Sequence, residues 1–179
     1  SQFSGIDKGA VQSAKIDELG MVDDVQVDKR FHGGPERALH QYALKSYERI
    51  IKRFPLLHKT ALPGSIGENL TVNGMNDTNV CIGDTFQMGD LTLQVSSPRI
   101  PCWKISHKMN MPDLDKFVAE KQITGWYYRV LKGGNLKIGD PVSRLTSPNP
   151  ELSISRFIEI NNDKNATTET LLQAANAEG

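Results

Sequence analysis

Two apolar-rich runs, residues 80–88 and 91–96, are separated only by Gly89-Asp90. So short a link between such runs marks a tight turn between antiparallel strands, because parallel strands need a long crossover. The chain is therefore expected to be built on at least one tight hairpin. Residues 126–131 are aromatic and β-branched and read as another strand, Gly133-Gly134-Asn135 turns the chain, and residues 137–145 supply a last strand pair. Val25-Gln26-Val27 reads as a short strand, and so do residues 69–72, ahead of the turn Asn73-Gly74. The order does not alternate strand and helix as a doubly wound sheet would. The expected class is mainly β with inserted helices, as a barrel or a strongly twisted sheet.

Helical periodicity is confined to a few inserts. Across residues 39–54, Tyr42, Tyr47, Ile50, Ile51 and Phe54 recur at helical steps, with Lys45, Glu48, Arg49 and Lys52 between them, and Pro55 closes the segment. Met111-Pro112-Asp113 opens a short helix with Leu114, Phe117 and Val118 on one face. Composition shifts at Ser147-Pro148-Asn149-Pro150, and helical pieces follow at 153–159 and 168–177. The expected division is a β domain over 1–146 and a helical segment over 147–179. A segment that short buries little alone, so it is expected to pack on the main domain or on another chain, and a homodimer is compatible with it.

Charge narrows the partners. Lys and Arg number 21, Asp and Glu number 21, and the formal net charge is zero. Nucleic acid or an acidic membrane would favour a basic excess, so neither is expected. No apolar run approaches the roughly 20 residues of a membrane span. Residues 1–10 lack a basic head and an apolar core, so no secretory signal is read there, and the cytoplasm is the expected compartment. Two cysteines are not a disulfide framework.

Of those two, Cys102 is the one placed for chemistry. It lies in Ser97-Pro98-Arg99-Ile100-Pro101-Cys102-Trp103-Lys104, past a strand and on backbone that two prolines keep out of a ladder. Arg99 and Lys104 would favour the thiolate, which attacks electrophiles or binds soft metals. A small buried hydrophobe at a core rim is an equally good local reading. Cys81, inside an apolar strand, reads as core. His32-Gly33-Gly34-Pro35-Glu36-Arg37 is either a plain turn or an anion site, with glycine-turn N–H groups and the Arg37 fork as donors. His32 would be a proton donor or a capping side chain. In Gly64-Ser65-Ile66-Gly67-Glu68-Asn69, the two polar residues could hold a heterocycle or satisfy loop backbone. No protein-only metal spacing, P-loop or dinucleotide fingerprint is present.

Taken in order, His32-Gly33-Gly34-Pro35-Glu36-Arg37-Ala38, Gly67-Glu68-Asn69-Leu70, Ile82-Gly83-Asp84, Ser97-Pro98-Arg99-Ile100-Pro101-Cys102, Gly125-Trp126-Tyr127-Tyr128-Arg129-Val130 and Ile138-Gly139-Asp140 resemble a MOSC domain, the C-terminal domain type of molybdenum cofactor sulfurases. The branch is similar to the stand-alone bacterial YiiM-type proteins. The resemblance implies a β-barrel with a small C-terminal helical segment and a bound molybdenum cofactor (molybdopterin), a pterin dithiolene with a phosphate tail. It implies that Cys102 ligates molybdenum and that N-hydroxylated bases and related compounds are reduced to amines, with electrons from a separate flavoprotein reductase. Within that frame Arg37, Arg99, Gly33 and Gly34 are the expected anion-holding residues, Glu68 and Asn69 the pterin or substrate contacts, and His32 the proton source. At family level an association with pyridoxal phosphate also comes along. The family's first barrel strand would lie upstream of Ser1, and the piece after Pro150 looks short, so the chain reads as incomplete. The rival readings are a module that carries the cofactor or sulfur without reducing anything, and an interaction domain without a cofactor.

Overall fold

Strand β6, near the end of the β-rich region, is the spine of the molecule. In chain order the elements are β1 Ser13–Asp17, β2 Gly20–Met21, β3 Leu39–Gln41, α1 Leu44–Arg53, β4 Thr85–Met88, β5 Leu91–Pro98, α2 Lys104–Lys108, α3 Leu114–Glu120, β6 Trp126–Lys132, β7 Gly134–Lys137, β8 Val142–Thr146, α4 Ile154–Asn162 and α5 Thr168–Ala175. The computed structural model describes residues 9–22 and 34–177, so the strand expected at 25–27 lies outside the described residues. The main sheet runs β3-β6-β5-β4-β8 and a smaller one runs β2-β1-β7. All pairings between these strands are antiparallel.

The hairpin forms as expected. Met88 pairs with Leu91, leaving Gly89-Asp90 as the two-residue loop. Gly89 has φ 55°, a positive value that hairpin turns of this length favour at the first loop position. A Cβ there would also collide with the Asp140 carboxylate.

Five expectations are corrected. The barrel does not form among the described residues: the sheets remain two and open, and every residue of the edge strand β8 is exposed. Residues 137–145 are not a strand pair, since β7 joins β1 while β8 joins β4. Residues 39–41 are strand rather than helix. Their backbone pairs with Trp126, Tyr127 and Tyr128 of β6, and all three are buried, so no alternation marked them. Of residues 69–72 only an isolated parallel bridge, Gln41 to Leu70, is made, and residues 80–84 loop in to a bridge from Cys81 to Ser153 instead of extending β4.

The apolar residues form two clusters. One fills the space on the main sheet with Phe86, Leu93, Val95, Trp126 and Tyr128, and takes in Leu152, Ile154, Ile160 and Ala174 from the C-terminal segment. The other joins α1 to the α2–α3 region through Tyr42, Tyr47, Ile50, Ile66, Ile105, Leu114 and Val118. The tail therefore packs on its own chain, pinned by Ile82 N to Leu152 O at 3.0 Å and Ile154 N to Val80 O at 2.9 Å. Among the described residues no helix is long and apolar enough to cross a membrane.

Ile154 is fully buried at the head of α4. Ile154→Ala should remove about 2–5 kcal/mol of stability through lost contacts and the cavity left behind. Thermal unfolding should show a lowered midpoint, and an unchanged midpoint would mean that the tail contributes no core.

Candidate functional site

The main sheet's β3-β6-β5 side brings together loops that are far apart in sequence. Ahead of β3, Pro35–Arg37 form one 3-10 turn, entered through Gly34 at φ 88°. Arg129 on β6 clasps Glu36 with two nitrogens and reaches Gln94 on β5 at 2.6 Å. This hydrogen bond holds the Glu36 carboxyl below its ordinary range. Ser96 Oγ donates to Glu36 O at 2.5 Å, and Ala38 N to Tyr128 O at 3.0 Å. So fixed, the turn sets the Arg37 guanidinium over the Tyr127 ring, 5.8 Å from its centroid.

His40 comes next on β3. Its ring lies 5.4 Å from that of Tyr127, its N–H donates to Asn69 Oδ1 at 2.9 Å, and its carbonyl accepts from Asn69 N at 2.8 Å. Asn69 Nδ2 also donates to Met21 Sδ. The adjacent Glu68 is 3% exposed. Its Oε1 accepts from Tyr47 Oη at 2.6 Å and Gly64 N at 2.7 Å, while Oε2 is buried with no partner among the described residues. Burial first, then the Glu68 charge, raise the Tyr47 phenol far above its usual range and keep it a donor. The Tyr42 ring meets Tyr47 edge-on at 4.9 Å, and its buried hydroxyl likewise has no partner among the described residues.

Arg99 continues β5 by one rung, its N–H donating to Gly125 O at 3.0 Å. It is only 6% exposed, and among the described residues Nη1 has no hydrogen-bond partner. A buried cation left this way carries a desolvation cost that an anion would offset. Gly125 has φ 73°, and a Cβ on it would run into Gln41 O and stand 2.9 Å from both His40 Nε2 and Tyr42 Cδ2. Behind it, Asp77 accepts from Gly125 N at 2.8 Å.

Three residues past Arg99, Cys102 is a free, half-buried cysteine whose carbonyl accepts from Ile105 N as α2 begins. Its flanks are apolar and open: Ile100 is 80% exposed and Trp103 62%. Cys81 is core as expected. It is buried, its Sγ donates to Pro150 O at 3.4 Å, and burial pushes its thiol up.

The fold thus gathers Arg37, Glu68, Asn69 and Arg99 around β3 and the start of β6, with Gly34 at the turn and Cys102 on the continuation of β5. His32 and Gly33 lie outside the described residues. Among the described residues no cluster of three His, Cys, Asp or Glu could hold a metal by itself. Sequence reasoning missed His40, Tyr42, Tyr47 and Asp77. His40 and Tyr42 fall within a segment read as helical, and the polar loop around Asp77 carries no signal of burial.

With this arrangement in view, comparison with known proteins gives the class. The MOSC domain family matches residues 28–143, and the chain belongs to it. The family is associated with the molybdenum cofactor. The chain is similar to Protein YiiM of Escherichia coli (strain K12), 34% identical over 127 residues, which is 71% of this chain and 57% of that protein. It is similar to a protein named Reductase from Gibberella moniliformis, 37% identical over 143 residues, 79% of this chain but 26% of that one. A crystal structure of YiiM from Geobacillus stearothermophilus matches with a TM-score of 0.76 at 25% identity, over 92% of this chain and 89% of that one. The likeness is thus to a MOSC protein of the YiiM type. Nothing in the site or the comparisons supports pyridoxal phosphate.

Asp77 gives the site's surroundings a pH dependence. Burial pushes its carboxyl up from 3.8 to about 6, against the bonds from Gly125 and Ser46 that lower it. The folded chain therefore holds this proton more tightly than the unfolded one. Stability from the group is full below about pH 4 and is lost as pH rises through about 6, on the order of 3 kcal/mol in all. Asp77→Asn should flatten this part of the profile, so melting temperatures at pH 4.5 and 7 (about these values) should differ less in the variant than in wild type.

Proposed function

We propose that this chain is a cytoplasmic, molybdenum cofactor-dependent oxidoreductase that reduces N-hydroxylated bases and related N-oxygenated compounds to amines, taking electrons from a separate flavoprotein reductase. The observation that carries the reading is the buried Nη1 of Arg99, three residues before Cys102, which like the buried Oε2 of Glu68 has no partner among the described residues; both charges act on the buried Tyr42. The family and the Reductase name of one relative support it.

The residues fit the cofactor. A phosphate tail is the kind of anion that a buried guanidinium takes up. A pterin edge offers N–H groups to an unpaired carboxylate oxygen. A cysteine thiolate is a suitable ligand for a soft or high-valent transition metal. Arg99 and Arg37 would hold the phosphate, assisted by the backbone at Gly33 and Gly34. Glu68 and Asn69 would orient pterin or substrate, with Tyr47 and the Gly64 N–H engaging one Glu68 oxygen and leaving the other to accept from the ligand. Cys102 would be the one protein ligand to the metal, and His32 would deliver a proton to the departing oxygen. The bound cofactor supplies the redox chemistry that breaks the N–O bond, and the protein positions it and excludes water.

The test is metal and pterin content of protein from a cofactor-competent host, with turnover of an N-hydroxylated base and a reductant, for wild type beside Cys102→Ser. Stoichiometric molybdenum and turnover are expected in wild type, and turnover at background in the variant. Full reduction by Cys102→Ser would overturn the ligand assignment. Molybdenum without turnover in wild type would favour a carrier.

A further inference from the structure

Asp77 takes no part in the chemistry above, yet it is 2% exposed and sits where three elements meet. Its Oδ1 accepts from Gly125 N at 2.8 Å, just ahead of β6. Its Oδ2 accepts from Ser46 Oγ on α1 at 3.3 Å. Its carbonyl accepts from Ser155 N in α4 at 2.8 Å. Gly125 in turn offers its carbonyl to Arg99 N at 3.0 Å, the rung beyond the Pro98–Trp126 pair, and Thr124 Oγ1 donates to the same oxygen. One residue, Gly125, therefore separates the Asp77 carboxylate from the backbone of the arginine. Gly125 holds a positive φ of 73° in close quarters, since a Cβ added there would meet Gln41 O, His40 Nε2 and Tyr42 Cδ2. Its buried N–H needs an acceptor, and Asp77 is the one it has.

We infer that Asp77 is a positioning residue for the cofactor-holding arginine: through Gly125 it sets where the backbone leaves β5, and so where Arg99 and, three residues on, Cys102 stand. The inference rests on the roles proposed above for those two residues. Removing the carboxylate leaves Gly125 N–H without its acceptor, frees the positive-φ turn and loosens the last rung of the ladder. An asparagine preserves the geometry, since its amide oxygen still accepts from Gly125 and its amide nitrogen can donate to Ser46. The effect therefore follows the hydrogen bond and not the charge.

Wild type, Asp77→Asn, Asp77→Ala and Ile154→Ala, the last a control for general loss of stability, should be prepared from a cofactor-competent host. Amide hydrogen exchange and molybdenum per folded chain are then measured. In Asp77→Ala, exchange at Gly125 and Arg99 should quicken about tenfold or more while the β4 amides stay protected, and retained molybdenum should fall by about tenfold or more. Asp77→Asn should keep both. Molybdenum loss in Asp77→Ala no greater than in Ile154→Ala at a matched melting temperature would overturn the inference, as would unchanged exchange at Arg99. Should Asp77→Ala not accumulate folded, Asp77→Ser, too short to reach Gly125 N, replaces it. A wild type without molybdenum would remove the proposed function instead, and exchange at Arg99 alone would then decide whether Asp77 positions that residue.

Discussion

Strand β6 is hydrogen-bonded on both sides, to β3 and to β5, and each ladder delivers one part of the site. The β3 ladder fixes His40 and, through it, the loop that carries Glu68 and Asn69. The β5 ladder ends at Pro98 and Trp126, so Arg99 and the Cys102 loop emerge beside it. Backbone ladders hold positions closely because each rung constrains two chains at once. The site could not assemble around β6 if either ladder slipped, since a slip of one residue turns every side chain to the other face.

Buried polar groups on and beside these strands show an imbalance. Buried polar atoms are normally paired. Here one Glu68 oxygen is engaged by Tyr47 and Gly64, while among the described residues its other oxygen, Tyr42 Oη and Arg99 Nη1 are buried without partners. A core built for stability alone would not retain an unpaired acceptor and unpaired donors so close to common neighbours.

Much of the local structure was legible. The Gly89-Asp90 hairpin, the strand from Trp126, α3 with Leu114 and Val118 inward, and the two tail helices follow from spacing and turn residues alone. The first strand of the site was not legible. Leu39, His40 and Gln41 are all buried, so the alternation that marks a half-exposed strand is missing, and the helical spacing just downstream absorbed them. Cys102 stood out by its prolines and its place after a strand, whereas Asp77 sits among polar loop residues and only its partners show that it is buried.

The sequence by itself determined that this chain combines antiparallel strands with several helices, that its ordered loop motifs belong to the MOSC domain family, and that Cys102 and not Cys81 is the cysteine displayed outside the core. Those features depend on turns, periods and short motifs, which residues a few positions apart decide. The tertiary structure decided that the described strands form two open sheets and not a closed barrel, that the tail packs on its own chain, and that Arg99 is buried beside Gly125 and Asp77. Those outcomes depend on hydrogen bonds between residues far apart in the chain, 87 positions in the Tyr128–Gln41 pair, and no local pattern encodes which distant partner a buried group will find.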